Sequence, residues 1–232
     1  MKPKYFLTII IGAVMLGSCE LSQEESVTVT FDFFDDASGW IGDFSDYPVG
    51  EEEFYELNYG FSHLPSPLDT MKGALKISGN NHSDDLFMFI KYRVMGLRAD
   101  ASYKVNFDIE FASNAPTNAM GVGGAPGEGV TLKVGAVTRQ PAKVAGDDDF
   151  YTMNLDKGNQ SASGTDMVAI GHIGVSDTTT VYTLINRNNN SNPFVVTADN
   201  YGEFWIIIGT DSGFEATTTL YYRKIKLVIT EI

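Results

Sequence analysis

The sequence predicts an all-β protein, an antiparallel β-sandwich of jelly-roll type with about twelve strands. Residues 103–111 alternate between apolar and polar side chains, which is the period of a strand with one buried face and one wet face. No window of eleven or more residues repeats with the helical period of 3.6. Frequent Gly, Asn, Asp and Pro residues separate the apolar runs and are typical of turns.

The predicted strands follow one another along the whole chain after residue 26. In the first half they are alternating or apolar runs, and in the second half they are rich in β-branched and aromatic residues. The predicted strands are 27–34, 54–60, 74–78, 86–94, 103–111, 130–137, 151–155, 167–173, 180–186, 194–197, 203–209 and 217–229. No repeat or linker interrupts them, so residues 27–232 are predicted to form one sandwich domain.

The first eighteen residues have the pattern of a secretory signal peptide. Lys2 and Lys4 precede an apolar stretch over residues 5–16, and small residues follow it. The apolar stretch is shorter than the roughly 20 residues that span a bilayer. We therefore expect residues 1–18 to be removed.

The residues around the expected cleavage site resemble a bacterial lipobox. Leu16-Gly17-Ser18 is followed by Cys19, the only cysteine of the chain, at the position where a lipid is attached. Residues 19–26 then form a lipidated cysteine with a short acidic tether. The mature chain has no other thiol, so the sequence excludes disulfides and thiolate catalysis.

The mature chain is strongly acidic. Without Lys2 and Lys4 the formal net charge of −14 becomes −16. Such a surface repels nucleic acid and anionic lipid headgroups. The sequence therefore predicts no nucleic-acid partner, and attachment to a membrane through the lipid on Cys19.

In an antiparallel sandwich the connections after odd-numbered strands emerge at one end. With twelve strands these connections are 35–53, 79–85, 112–129, 156–166, 187–192 and 210–216, and they hold most of the unusual polar residues. Binding sites favour loops on a rigid scaffold. We therefore predict a ligand site at this end, with aromatic rings to stack on a sugar and polar groups for its hydroxyls. The candidate ligand-binding residues are Trp40, Asp43, Asp46, Tyr47, Asn80, Asn81, Asp84 and Asp85.

Each part of this candidate site has an alternative interpretation. Trp40 could instead close one end of the core, as large aromatic residues often do. Asn and Asp residues could serve as turn residues. The same loops also offer the oxygen ligands that calcium prefers, and the candidate metal ligands are Asp156, Asp211 and Glu215.

A catalytic function is not expected. Residues 106–110 are similar to the Glu-x-Asp-x-x-Glu strand motif of jelly-roll glucanases, but Asn106 occupies the first acidic position and the last spacing is shortened. Retaining hydrolysis needs two carboxyl groups about 5 Å apart. A glycoside hydrolase is the weaker alternative, and solvent-facing charges on a half-buried strand explain Asp108 and Glu110.

Several segments resemble an uncharacterised family of lipoproteins from the Bacteroidetes. They are residues 46–50, 78–81, 111–116, 156–160 and 209–215. The general layout, with strands around residues 31–33 and 220–222, also resembles jelly-roll carbohydrate-binding modules. In such modules an acidic residue after the closing tyrosines often joins a calcium site, whereas this chain has Arg223.

These observations predict a lipid-anchored protein of the cell envelope, held at the outer membrane and either displayed on the surface or facing the periplasm. The favoured function is non-catalytic binding of a glycan or a similar polar ligand. The alternative is a structural or assembly lipoprotein that binds another envelope protein.

Overall fold

The structure confirms the prediction of an all-β antiparallel sandwich of jelly-roll type. It is a computed structural model that describes residues 25–176 and 180–232. These residues contain fifteen strands and no helix. The strands are β1 (Ser26–Asp32), β2 (Ile41–Ser45), β3 (Tyr47–Pro48), β4 (Asn58–His63), β5 (Gly73–Asn80), β6 (Leu86–Val94), β7 (Ser102–Ser113), β8 (Val130–Val137), β9 (Lys143–Ala145), β10 (Phe150–Met153), β11 (Val168–His172), β12 (Thr183–Asn188), β13 (Phe194–Thr197), β14 (Phe204–Ser212) and β15 (Thr217–Glu231).

The N-terminal predictions concern residues outside this description. The signal peptide over residues 1–18, the lipidated Cys19 and the tether up to residue 24 lie outside the described residues. Among the residues described, no helix has the length and apolar character needed to cross a membrane.

Each of the twelve predicted strands corresponds to an observed one. The prediction missed the three short strands β2, β3 and β9. Two of these, β2 and β3, lie inside the predicted connection 35–53, so the true strand count before β4 differs from the predicted one.

Two antiparallel sheets make up the sandwich. The larger has seven strands in the order β12-β7-β15-β5-β4, with β1 also paired to β15 and β13 to β7. The smaller has five strands in the order β11-β8-β14-β6-β2. Their facing side chains, such as Phe107 and Phe111 from β7 and Ile206 and Ile208 from β14, form the main core. This interior explains the period-two pattern over residues 103–111, because every second side chain of β7 points into it.

The long strand β15 runs the length of the larger sheet and defines two ends of the sandwich. At the Thr217 end, Thr217 pairs with Asn80 of β5. At the Thr230 end, Thr230 pairs with Ser26 of β1.

A covering segment, residues 138–167, crosses the outer face of the smaller sheet. It contains β9 and β10, which form a small third sheet with β3. Leu155 and Met167 of this segment pack on Phe87, Phe89 and Ile207, which point outward from the smaller sheet, and together they form a second core. A sheet face that would otherwise be wet is therefore buried.

Candidate functional site

Four of the predicted connections meet at the Thr217 end. The side-chain nitrogen of Asn81 donates to the Ser212 carbonyl at 2.8 Å. The side chain of Gln160 donates to the Asp84 carbonyl at 3.1 Å. The backbone N–H of Gly213 donates to the Gly129 carbonyl at 2.9 Å. These bonds bring segments 79–85, 112–129, 156–166 and 210–216 together.

The other two predicted connections do not belong to this end as a whole. Connection 35–53 is divided by β2 and β3, and β2 runs along β6, so only its later part reaches the Thr217 end. Connection 187–192 lies halfway along β7, where Asn189 accepts a hydrogen bond from the Phe107 N–H at 2.6 Å. Strand counting therefore predicted four of the six connections at the Thr217 end. It was wrong for connection 187–192 and for the first part of connection 35–53.

The two aromatic residues predicted to bind a ligand are buried. The Trp40 ring lies against Phe31 and Tyr92, with ring centroids 5.3 and 5.5 Å away. Tyr47 has no exposed surface and packs on Tyr151 at 5.2 Å. Neither ring has a free face on which a sugar could stack. Their positions correspond to the alternative interpretation, in which large aromatic residues close the core.

Most of the predicted polar residues are engaged in local structure. Asn80 donates its amide to Glu56, and Asn81 is buried, holding the Ser212 and Phe214 carbonyls. The carboxylate of Asp43 accepts the N–H of the next residue. Asp84 has a left-handed backbone with a φ of 59°, which Asp tolerates at turns.

The remaining predicted residues, Asp46 and Asp85, join a buried ion cluster that we call the lysine–aspartate cluster: Asp46, Asp85, Asp211, Lys133 and Lys157. The Asp211 carboxylate oxygen Oδ2 lies 2.8 Å from the Lys133 ammonium and 2.9 Å from that of Lys157. The Lys157 ammonium also lies 2.9 Å from Asp46 and 3.9 Å from Asp85. The covering segment contributes Lys157. Four of the five side chains are buried, whereas that of Asp85 lies at the edge of the cluster and is 38% exposed.

Burial dominates the electrostatics of this cluster. The pKa of Asp85 is raised to about 7: burial is the largest cause, the nearby carboxylates of Asp46 and Asp211 add to the rise, and Lys157 opposes it. Burial also raises the pKa of Asp46 and lowers that of Lys133. For Lys157 burial lowers the pKa, but the carboxylates of Asp211 and Asp46 outweigh it, and the net shift is upward.

A pH-dependent stability follows from Asp85. Its pKa rises from 3.8 in the unfolded chain to about 7 in the folded protein, so between these values the folded state holds a proton that the unfolded state has released. Stability due to this group therefore falls as the pH rises from about 4 to about 7. We expect Asp85→Asn to flatten the decline of the melting temperature over this range, measured by circular dichroism.

The neighbouring residue supplies a matched control for this experiment. Asp84 is exposed, and Asn, like Asp, tolerates the left-handed backbone of this position. This variant should keep the pH profile of the unsubstituted protein. An unchanged profile in Asp85→Asn would contradict the assignment.

The predicted calcium ligands are not brought into one group. Asp156 caps its own loop by accepting from the N–H groups of Thr165 and Gly158, and these hydrogen bonds lower its pKa. The backbone of Glu215 pairs with Val122, whereas Asp211 lies in the lysine–aspartate cluster. In residues 25–176 and 180–232, the group of three carboxylates close enough to share an ion is Asp46, Asp85 and Asp211, whose oxygens lie within 4.8 Å of one another.

Two ammonium groups already offset most of the negative charge of these three carboxylates. Lys133 and Lys157 already place two ammonium groups within hydrogen-bond distance of Asp211. A calcium ion would have to displace them, because calcium requires six to eight oxygen ligands. Arg223, which follows the closing tyrosines, forms an ion pair with Asp32.

An open pocket of about 260 Å³ lies at the Thr217 end, and we call it the end pocket. It is formed where the last residues of β7 and the first residues of β15 meet the loops above the smaller sheet. Its lining residues are Ser113, Asn114, Ala115, Pro116, Pro126, Ile173, Thr180, Phe214, Thr217, Thr218 and Thr219.

The end pocket combines hydrogen-bonding groups with apolar surface. Asn114, Thr217 and Thr218 have side chains that make no hydrogen bond within the described part of the chain, so their polar groups are available to a ligand. Phe214 and Pro116 provide apolar walls. Such a mixture of apolar surface and a few polar groups is typical of small-molecule sites.

The predicted connection 112–129 includes Asn114, whereas the threonines of the pocket were not among the predicted site residues. The signal was the run of three threonines at residues 217–219, which were assigned to the closing strand. At a strand end both faces of the chain are accessible, and here both contribute to the pocket wall. That position cannot be distinguished from the strand interior by periodicity alone.

The glucanase-like stretch lies on the outer face of the larger sheet. Asp108 pairs across the sheet with Lys226, and Glu110 with Lys224. Asp108 also accepts a hydrogen bond from Asn186. Alternating opposite charges across two strands stabilise a wet sheet face, which agrees with the expectation of solvent-facing charges.

Comparison with known proteins gives similarities of fold at low identity. The chain is similar to a mannan-recognising carbohydrate-binding module, with a TM-score of 0.38, 11% identity, and 88% of this chain and 98% of that chain covered. For a xylan-binding module the TM-score is 0.40, with 11% identity and coverages of 88% and 97%. For the tailspike protein 4 of bacteriophage CBA120 the TM-score is 0.37, with 9% identity, and the chain spans 19% of that protein's length against 82% of its own.

A scan against protein-family models finds no match, and no curated protein sequence matches. At these identities and TM-scores no ligand or activity transfers to this chain.

Proposed function

We propose that this protein is a non-catalytic binding module for a glycan or a similar polyhydroxylated ligand, and that the end pocket is its binding site. The observation that carries the proposal is the free hydrogen-bonding capacity of Asn114, Thr217 and Thr218 beside the apolar walls of Phe214 and Pro116. A sugar ring presents hydroxyl groups around its edge and C–H groups on its faces. The pocket offers a partner for each kind of surface.

The size of the pocket favours a short stretch of ligand. A volume of about 260 Å³ holds roughly nine water molecules at about 30 Å³ each. That space suits one or two sugar units rather than a long polymer segment. The pocket lies at the end of the sandwich, so the end of a glycan chain can enter it without bending around the sheet.

Removing two polar groups of the pocket tests this proposal. We expect Asn114→Ala combined with Thr217→Val to weaken glycan binding about tenfold, since each neutral hydrogen bond contributes about 0.5–1.5 kcal/mol. The measurement is a thermal-shift screen of residues 20–232 against a panel of polysaccharides, followed by calorimetric titration of the glycan that raises the melting temperature.

The same chemical change elsewhere serves as the control. Thr28→Val alters an exposed threonine on β1 far from the pocket and should leave affinity unchanged. Equal affinity of the pocket variant and this control would place the ligand elsewhere. If no glycan in the panel shifted the melting temperature, the choice of ligand class would be contradicted.

Lipid attachment through Cys19 is the second part of the proposal. Its support is the lipobox at residues 16–19 and the signal-like segment before it. We propose that the mature protein is anchored in the outer membrane, in line with its resemblance to Bacteroidetes lipoproteins. Mass spectrometry of the membrane-extracted protein tests this, because lipidation adds acyl chains to the first residue of the mature chain.

One observation favours a protein partner as the second candidate function. Met120 is fully exposed and Val122 largely so, both in segment 112–129 beside the end pocket. Backbone pairing of Val122 with Glu215 holds this apolar pair near the pocket rim. Co-purification of one envelope protein, lost on Met120→Asp, would support this candidate over a glycan.

A further inference from the structure

The first described residues lie at the Thr230 end of the sandwich. Ser26 pairs with Thr230, and the Glu231 N–H donates to the Glu25 carbonyl at 3.0 Å. The seven residue steps from Cys19 to Ser26 span at most about 25 Å when extended. An anchor on Cys19 must therefore lie within about 25 Å of Ser26.

The end pocket lies at the opposite end, beyond the reach of this tether. Thr217 lines the pocket, and thirteen residue steps of the same strand separate it from Thr230. At about 3.3 Å per residue the two ends are about 40 Å apart. A tether that extends about 25 Å from the Thr230 end cannot bring the anchor to the pocket.

The Thr230 end exposes apolar side chains from four separate segments. Val27 is 54% exposed, Met95 60%, Tyr201 77% and Ile232 51%. Backbone bonds from Leu97 to Gly202 and from Ile232 to Ser102 hold these segments together. Tyrosine is suited to the boundary between membrane and water, because its ring is apolar and its hydroxyl is polar.

Two ion pairs neutralise part of the charge on this end. Arg93 forms an ion pair with Glu203, and Arg98 with Glu231. Glu25 and Asp100 are further exposed carboxylates here, which favours contact at headgroup depth over deeper insertion. Pairing reduces the repulsion that a chain with a formal charge of −16 would otherwise meet at a lipid surface.

We infer that the Thr230 end is a lipid-contacting surface. Met95, Tyr201 and Ile232 rest among the headgroups of the membrane that holds the Cys19 lipid, and the end pocket faces away at a height of about 40 Å. This inference rests on the proposed lipid attachment. It adds an orientation and a second, weak contact that the lipid alone does not determine.

The chain offers a direct test, because Cys19 is its only cysteine and is consumed by the lipid. The lipidated full chain is purified as the Tyr201→Cys or the Met120→Cys variant, labelled with an NBD fluorophore, and reconstituted into phosphatidylcholine vesicles that contain a headgroup-spin-labelled lipid. The two positions are matched, since both are exposed, one at each end. We expect the label at position 201 to be quenched at least threefold more than the label at position 120.

The outcomes test the membrane orientation separately from the proposed lipid attachment through Cys19. Vesicle flotation is measured on the same samples, with Cys19→Ser as the variant that cannot be lipidated. Failure of the unsubstituted chain to float overturns the attachment and the orientation with it. Flotation with equal quenching at both positions, or stronger quenching at position 120, overturns the orientation alone.

Discussion

Replacing Asp211 by Asn is expected to lower the free energy of unfolding by about 3–5 kcal/mol, the range found when one partner of a buried ion pair is removed. Asp211 and Lys133 are wholly buried, and Asp211 accepts from both Lys133 and Lys157. The amide keeps the shape of the side chain but leaves the wholly buried Lys133 ammonium without its carboxylate partner, whereas Lys157 still pairs with Asp46. Urea denaturation of residues 20–232 measures the change.

Two further variants show whether charge imbalance is the cause. Asp147→Asn, at an exposed turn of the covering segment, should change stability by less than about 0.5 kcal/mol. Lys133→Met combined with Asp211→Leu removes both partners and should cost less than Asp211→Asn, because no unbalanced charge remains at this pair. A double variant less stable than the single one would contradict this account.

The Trp40→Ala variant is expected to lose about 3–5 kcal/mol of stability, as large-to-small substitutions of buried aromatics do. Trp40 is 3% exposed and contacts Phe31, Phe33 and Tyr92. The cavity left by the ring would lie between β1 and β6, where the sandwich cannot easily collapse. Thermal and urea unfolding of residues 20–232 provide the measurement.

Ligand binding separates a core role for Trp40 from a role in recognition. At a temperature where Trp40→Ala remains folded, we expect it to bind ligand in the end pocket with unchanged affinity. Tyr201→Ala, which truncates an exposed ring, should leave stability within about 0.5 kcal/mol. If Trp40→Ala lost ligand binding while keeping full stability, Trp40 would belong to the ligand site.

The long strands could be predicted from the sequence, because the order of apolar and polar side chains along them follows which side chains are buried. It was insufficient for β2, where Gly42 and Asp43 suggest a loop. Gly42 instead lies beneath the Tyr59 ring, and a Cβ at this position would come within 2.2 Å of that ring. The contact joins residues from two different sheets, so no local pattern could reveal it.

The site was less predictable than the fold because it depends on what covers each face. Lys133 stands in an apolar strand, and alternation alone assigns it to the wet side of the smaller sheet. The covering segment buries that side of the sheet and supplies Lys157. Lys133 and Asp211 therefore form part of a buried ion cluster instead of a solvent-exposed sheet face. Asp46 and Asp85 were both predicted as ligand-binding residues from strand counting, and they meet in this cluster, but their partners lie in strands and loops far away in the sequence.

The position of β15 in the larger sheet also constrains the order of folding. Strand β15 pairs with β1, β5 and β7, and in the described part of the chain these three strands do not pair with one another. The larger sheet therefore cannot close until residues 217–231 have been synthesised, and contacts so distant in sequence form slowly. Until β15 is in place, β1, β5 and β7 lack the strand that joins them in the larger sheet.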